Sequence, residues 1–292
     1  MAREEVLFTS GDAQCAAWFY PAADGAGGND APAPCVVMAH GFSMTRGDGL
    51  AFYAEALAAA GAHVLVFDFR HLGDSGGEPR QRFRAPLQRE DWRSAIAYAR
   101  ARPEVDPRRI LLWGFSFSGG HITKLLVDGA DVAGAFLVCP FVDGIKRVLV
   151  TPPSVVAWIL PRALADLAGR HNLIPVTGEP GTKAAMTLPG EAAGFAASKE
   201  PGTRWRNEIS PGLFATVGLF RPVTKAGRIK VPLWVGRCAD DVSADFGAIG
   251  RLAASAPNAE LHDFPGDHFA PFHGELPTRV AASQVAFLQR FL

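Results

Sequence analysis

The chain has 292 residues, 48% of them hydrophobic and 20% charged, with 29 basic and 29 acidic side chains. This is the composition of a globular protein able to bury a large core, as one large domain or a domain with an insertion. A formal net charge of zero supplies no attraction for nucleic acid or an anionic membrane, so neither is expected as a partner.

The opening MAREEVLFTS carries acids where a secretory signal needs a basic end and an apolar stretch. No apolar run approaches the roughly 20 residues of a membrane span. Cys15, Cys35, Cys139 and Cys238 are far apart and form no CxxC pair. They are expected to be buried free thiols in a reduced, cytoplasmic protein.

In chain order, EEVLFTS and QCAAWFY predict a pair of strands, and the Gly- and Pro-rich segment 21–34 a loop. CVVMAH (35–40) is a Val-rich buried strand, GLAFYAEALAAAG (49–61) a helix stopping at Gly61, and AHVLVFDF (62–69) a second buried strand. LQREDWRSAIAYARAR (87–102) sets Trp92, Ile96 and Tyr98 against a charged face, as an amphipathic helix does. RILLWG (109–114) is a third strand, followed by the helix FSGGHITKLLVDG. VAGAFLVCP (132–140), VPLWVG (231–236) and AELHDF (259–264) are further strands, the last two each followed by a helical pattern. Apolar strands alternating with helices predict a mostly parallel α/β sheet covered on both faces.

The rhythm breaks between about Phe141 and Lys230, in a segment too long and too apolar for a surface loop. SVVAWILPRALADLA and SPGLFATVGLF are its predicted helices. The expected organisation is a core of residues 1–140 and 231–292 with a cap or lid inserted at 141–230. Val155, Val156, Trp158, Ile159, Leu160, Phe214 and Phe220 are candidates to line an apolar pocket beneath it.

GFSFSGG (114–120) offers two serines between a strand and a helix. A serine becomes a nucleophile when a base takes its proton and donors stabilise the oxyanion. A sharp strand-to-helix turn exposes the hydroxyl but needs small residues two positions to either side. Ser116 has Gly114 and Ser118 there; Ser118 has Ser116 and Gly120. The strand runs straight into Ser116, whereas Ser118 falls inside the first helical turn, so Ser116 is the predicted nucleophile. No phosphate-loop pattern is present.

The backbone amides of Phe42, in MAHGFS, and of Phe117 are the candidate oxyanion hole, with His40 a structural residue beneath the turn. His268, just past the last strand in FPGDHFAPF, is the predicted base, and His273 is its alternate. In RCADDVSADF, Asp240, Asp241 and Asp245 are available to orient the imidazole. Asp240 is preferred and Asp241 is the alternate, since adjacent side chains point in different directions.

AHGF, FDFRHLGDSGG, GFSFSGG, RCADDVS and GDHF occur in an order that resembles the α/β-hydrolase family, Ser…Asp…His. The likeness covers nearly the whole chain outside the insertion and is nearest the esterase, thioesterase and serine-peptidase-like branch with an inserted lid. FDFRHLGDSGGEPR looks like that family's structural turn, which gives Asp68 and Arg70 no catalytic role. Two features depart from the pattern. Ser118 stands where Gly is commonest, and the acid loop runs one residue longer from Gly236 to Asp240.

The resemblance implies acyl transfer to Ser116 without metal or organic cofactor. A small-molecule substrate, a hydrophobic or aromatic carboxylic ester, is the leading expectation, in a monomer or homodimer. A thioesterase, amidase or acyltransferase using the same triad is the alternative, and a non-catalytic small-molecule receptor the third.

Overall fold

The computed structural model describes residues 3–23 and 31–292; part of the predicted 21–34 loop lies outside the described residues. A single eight-stranded sheet dominates the molecule. The first two strands, β1 (Glu4–Ser10) and β2 (Ala13–Tyr20), pair antiparallel through the full length of β1.

The next elements are β3 (Ala33–Ala39), α1 (Leu50–Ala59), β4 (His63–Phe67), α2 (Ala85–Arg100), β5 (Val105–Phe115), α3 (Phe117–Val127) and β6 (Gly134–Val138). After the inserted segment come β7 (Leu233–Cys238), with the later α7 (Phe246–Ser255), β8 (Ala259–Phe264) and α8 (Leu276–Leu288). The spatial order is β1-β2-β4-β3-β5-β6-β7-β8, parallel from β4 through β8.

That order places the helices. From β3 the chain crosses by α1 to β4 on one side, then returns by α2 past β3 to β5 on the other. Right-handed crossovers therefore put α1 and α2 on opposite sheet faces. Helix α8 joins α1, and α3 joins α2. The direction reverses at β3, so the crevice above the carboxyl ends of β3 and β5 is where such a sheet offers a site.

Every residue of β3, β4 and β6 is buried, as expected of Val- and Leu-rich strands covered on both sides. The edge strand β8 is the exception to the apolar reading, being only partly buried along its length. Its His262 ring stacks on Trp234 at 5.0 Å. Buried Trp113 and Trp234 hydrogen-bond Gln284 and Ser283 of α8, fixing that helix across the sheet. All four cysteines are buried and free. Among the described residues, no helix is long and apolar enough to cross a membrane.

Between β6 and β7 the chain adds no strand to the sheet. It forms three helices, α4 (Gly144–Val150), α5 (Pro153–Leu167) and α6 (Glu191–Ala197). The helix predicted over SVVAWILPRALADLA is α5. The one predicted over SPGLFATVGLF is instead two 3-10 turns, Pro211–Ala215 and Val217–Leu219. Gly212 and Gly218 weaken an α-helix there, and the Gly212 amide is taken by the Asp166 carboxylate at 2.9 Å.

Candidate active site

Strand β5 ends at Phe115, and α3 begins at Phe117. Ser116, between them, has φ 53° and ψ −117°, a conformation costly for a residue with a side chain. Three backbone hydrogen bonds hold it. Its N–H donates to Val138 O at 2.9 Å, and its carbonyl accepts from Phe141 and Gly120. The size rule around this turn is visible in space. A Cβ on Gly114 would lie 2.7 Å from the Gly119 nitrogen and the Ser118 carbonyl carbon. Ser118 is fully buried, and its hydroxyl donates to the His40 carbonyl. Ser118 thus links the turn after β5 to the turn after β3.

That second turn presses on Ser116 from the side. A Cβ on Gly41 would sit 2.9 Å from the Ser116 Cβ, so glycine permits the approach. Beneath it, the His40 Nδ1 accepts from the Gly41 N–H at 2.8 Å, which makes Nε2 the protonated nitrogen, donating to Asp48 O at 2.7 Å. Burial pushes the His40 pKa down to about 3. His40 is a neutral strut.

His268 follows β8 through a turn in which Gly266 takes φ 94°. Its Nε2 lies 2.9 Å from the Ser116 Oγ, and its Nδ1 lies 2.7 Å from Asp241 Oδ2. A carboxylate can only accept, so Nδ1 carries the proton and Nε2 is left to accept from the serine. The Phe115 ring, 4.7 Å away, covers the imidazole, which is almost wholly buried.

The carboxylate on His268 belongs to Asp241, not to Asp240, the preferred candidate from sequence. The Asp240 amide donates to Gly266 O at 2.9 Å, tying the two loops together, and its side chain is exposed. The next residue turns inward. Asp241 Oδ1 accepts the N–H groups of Ser243 and Ala244 at 2.8 and 2.7 Å, leaving Oδ2 for the imidazole. Asp245 instead caps α7 by accepting from Gly247.

The alternate base, His273, makes no hydrogen bond to Ser116 or Asp241. His121 points from α3 to Gln88, and its pKa is held well below the usual value by burial. Asp68 and Arg70, given no catalytic role by the resemblance, are engaged in buried hydrogen bonds. Asp68 receives the Arg46 and Asp74 amides, and Arg70 pairs with Asp91 at 2.6 Å.

A cavity of about 410 Å³, counting its open mouth, opens beside Ser116. Phe42 and Phe117, the residues whose amides were the oxyanion candidates, both line it. Phe117 is the first residue of α3, so its N–H has no partner within the helix. The inserted segment supplies Arg147, Met186, Leu213, Phe214 and Val217 to the wall. Of the expected pocket residues, only Phe214 is in this wall. Phe220 backs it by stacking on Phe117 at 5.0 Å, while Val155 is packed in the core.

Sequence reasoning missed one polar chain. Arg147 pairs with Glu191 at 2.6 Å, and Glu191 accepts the Ser243 hydroxyl at 2.8 Å. Ser243 in turn donates its amide to Asp241. Arg147 and Glu191 are 44 positions apart, and no motif marks either. Cys139, Asp241 and His268 bring three donor atoms within 4.8 Å of one another. The direct 2.7 Å contact between Asp241 and His268 leaves no gap for an ion between them.

Comparison with known proteins agrees with the fold. Residues 36–283 match the Alpha/beta hydrolase family. The chain is 32% identical to the quorum-quenching protein AidA of Acinetobacter baumannii, over 99% of this chain and 95% of that one. Thiohydrolase aneE of Aspergillus aculeatus is 35% identical over 48% of this chain and 44% of its own. Polyketide transferase grgF of a Penicillium species is 30% identical over 58% of this chain and 54% of its own. The crystal structure of alpha/beta hydrolase GrgF from Penicillium sp. sh18 superposes with a TM-score of 0.80, at 24% identity, covering 100% of this chain and 99% of that one.

Proposed function

Since the chain belongs to the alpha/beta hydrolase family, we propose that it is a serine hydrolase that cleaves a carboxylic ester of a hydrophobic small molecule through an acyl-enzyme on Ser116. The observation that carries this reading is the unbroken line of hydrogen bonds from Ser116 through His268 to Asp241.

In the forward step, the Ser116 Oγ attacks the carbonyl carbon while its proton passes to His268 Nε2. The imidazolium so formed faces Asp241, which stabilises its charge and keeps the ring in place. The amides of Phe42 and Phe117 receive the oxyanion; one such donor is typically worth about 10² to 10³ in rate. His268 then gives its proton to the leaving oxygen, and the alcohol departs. Water, deprotonated by the same nitrogen, attacks the acyl-enzyme, and the acid leaves as Ser116 regains its proton. The insertion, residues 141–230, acts as the cap that shapes the acyl pocket.

A second reading keeps the triad and changes the substrate to a thioester, or the acceptor to something other than water. The relatives named thiohydrolase and polyketide transferase favour it. A thiolate leaves without needing a proton, so the same site serves both bonds. Incubation with a fluorophosphonate followed by intact-mass measurement tests the nucleophile. One adduct on the wild type and none on Ser116→Ala is expected; an unlabelled wild type overturns both readings. Matched oxygen-ester and thioester substrates then separate the two by kcat/KM.

A further inference from the structure

The insertion holds a second apolar space. It is an open groove of about 410 Å³, solvent at its mouth included, between the end of α4 and helix α5. Val148 and Thr151 form one side, and Val156, Ile159 and Leu160 the other. Arg147, Phe214 and Val217 line both this space and the cavity beside Ser116. Three shared residues make the boundary one layer of side chains thick. The two spaces thus adjoin across Arg147, Phe214 and Val217.

We propose that the second space is the far leg of the acyl-binding site, and that the substrate carries an elongated, largely apolar acyl chain. This inference rests on the acyl-enzyme reading and adds the substrate class. An acyl group confined to the first cavity would leave the far leg's apolar wall facing water. A long chain covers it, and each buried methylene adds favourable transfer free energy.

Arg147 at this boundary looks like an obstacle, since an uncompensated charge repels a hydrocarbon chain. It is compensated. Its Nη1 is 2.6 Å from Glu191 and its Nη2 donates to Ala185 O at 2.9 Å. The guanidinium therefore meets the chain as half of a neutral pair. At the outer end Val148 is 44% exposed and Leu160 41%, an apolar rim that a packed core would have covered.

The test is a series of p-nitrophenyl esters from acetyl to decanoyl. For the wild type, kcat/KM is expected to rise with chain length, by up to about fourfold for each methylene that enters the far leg. Val156→Trp and Val148→Trp, which fill that leg, should lower the decanoyl-to-butyryl ratio by about tenfold or more, the worth of two buried methylenes. Leu219→Trp, on an exposed position outside both spaces, should keep the wild-type ratio.

A second arm needs no turnover. Calorimetry on Ser116→Ala should show decanoate binding more tightly than butyrate, with the preference lost when Val156→Trp is added. A flat or falling chain-length profile, or decanoate no tighter than butyrate, overturns the far leg. A folded enzyme that cleaves no ester but still prefers decanoate overturns the catalytic reading and leaves the far leg standing.

Discussion

Asp241 Oδ2 stands 2.7 Å from His268 Nδ1, while Asp240, one residue earlier, faces solvent. Two adjacent carboxylates thus have opposite fates. Asp241→Asn should reduce kcat by about 10⁴, because the amide no longer holds the imidazole in the working tautomer or stabilises its charge. Asp240→Asn should leave kcat unchanged. Steady-state hydrolysis of one activated ester by both variants decides it, and loss of turnover in Asp240→Asn alone would reverse the assignment.

Why the sequence made this pair hard to separate follows from the same geometry. Ser116 was legible because the strand, the turn and the small neighbours that its exposure requires are all local. His268 was legible from its place after the last strand. Which of two adjacent aspartates turns inward depends on the bond from the Asp240 amide to Gly266, made between loops 26 residues apart. The break in the alternation of strands and helices between β6 and β7 was legible as an interruption. The seven-residue helices α4 and α6 and the Arg147–Glu191 pair were not, since short helices carry little periodicity and the pair exists only in the folded chain.

Gly41 and Ser116 are packed so closely that a methyl group between them has no room. In Gly41→Ala the added Cβ would lie 2.9 Å from the Ser116 Cβ and 3.2 Å from Phe115 O. One or the other must move. A displacement of even ~1 Å at a nucleophile can cost about 10² in rate, so kcat should fall by about that factor with little change in the thermal midpoint. Wild-type turnover in this variant would show that the turn after β3 is free to retreat.

Glu191 is fully buried at its side chain and Arg147 nearly so. Removing one member strands the other charge, a loss of about 3 to 5 kcal/mol for a buried pair. Glu191→Ala should therefore lower the urea midpoint strongly, and it also removes the acceptor of the Ser243 hydroxyl. The double variant Arg147→Met with Glu191→Leu should recover much of that stability, since a packed apolar pair does not carry the desolvation cost. Equal losses in the single and double variants would mean that the pair is not energetically coupled.

His40 supplies the acid limit. In the folded chain its Nδ1 accepts from Gly41 and its pKa is about 3, while an unfolded histidine has about 6.5. Protonation would set a second donor against the Gly41 N–H, and burial opposes the charge as well. Below about pH 6.5 the unfolded chain takes up a proton that the folded chain refuses. Through this group stability is fully present above that pH. It then falls by about 1.4 kcal/mol per pH unit until the folded pKa is reached. His121, buried and also pushed down, acts in the same direction. Imidazole nitrogen shifts followed by NMR should show His40 still neutral at about pH 5, well below the 6.5 of a free imidazole. A His40 that titrates near 6.5 in the folded protein would remove this term and with it the strut assigned to the turn beside Ser116.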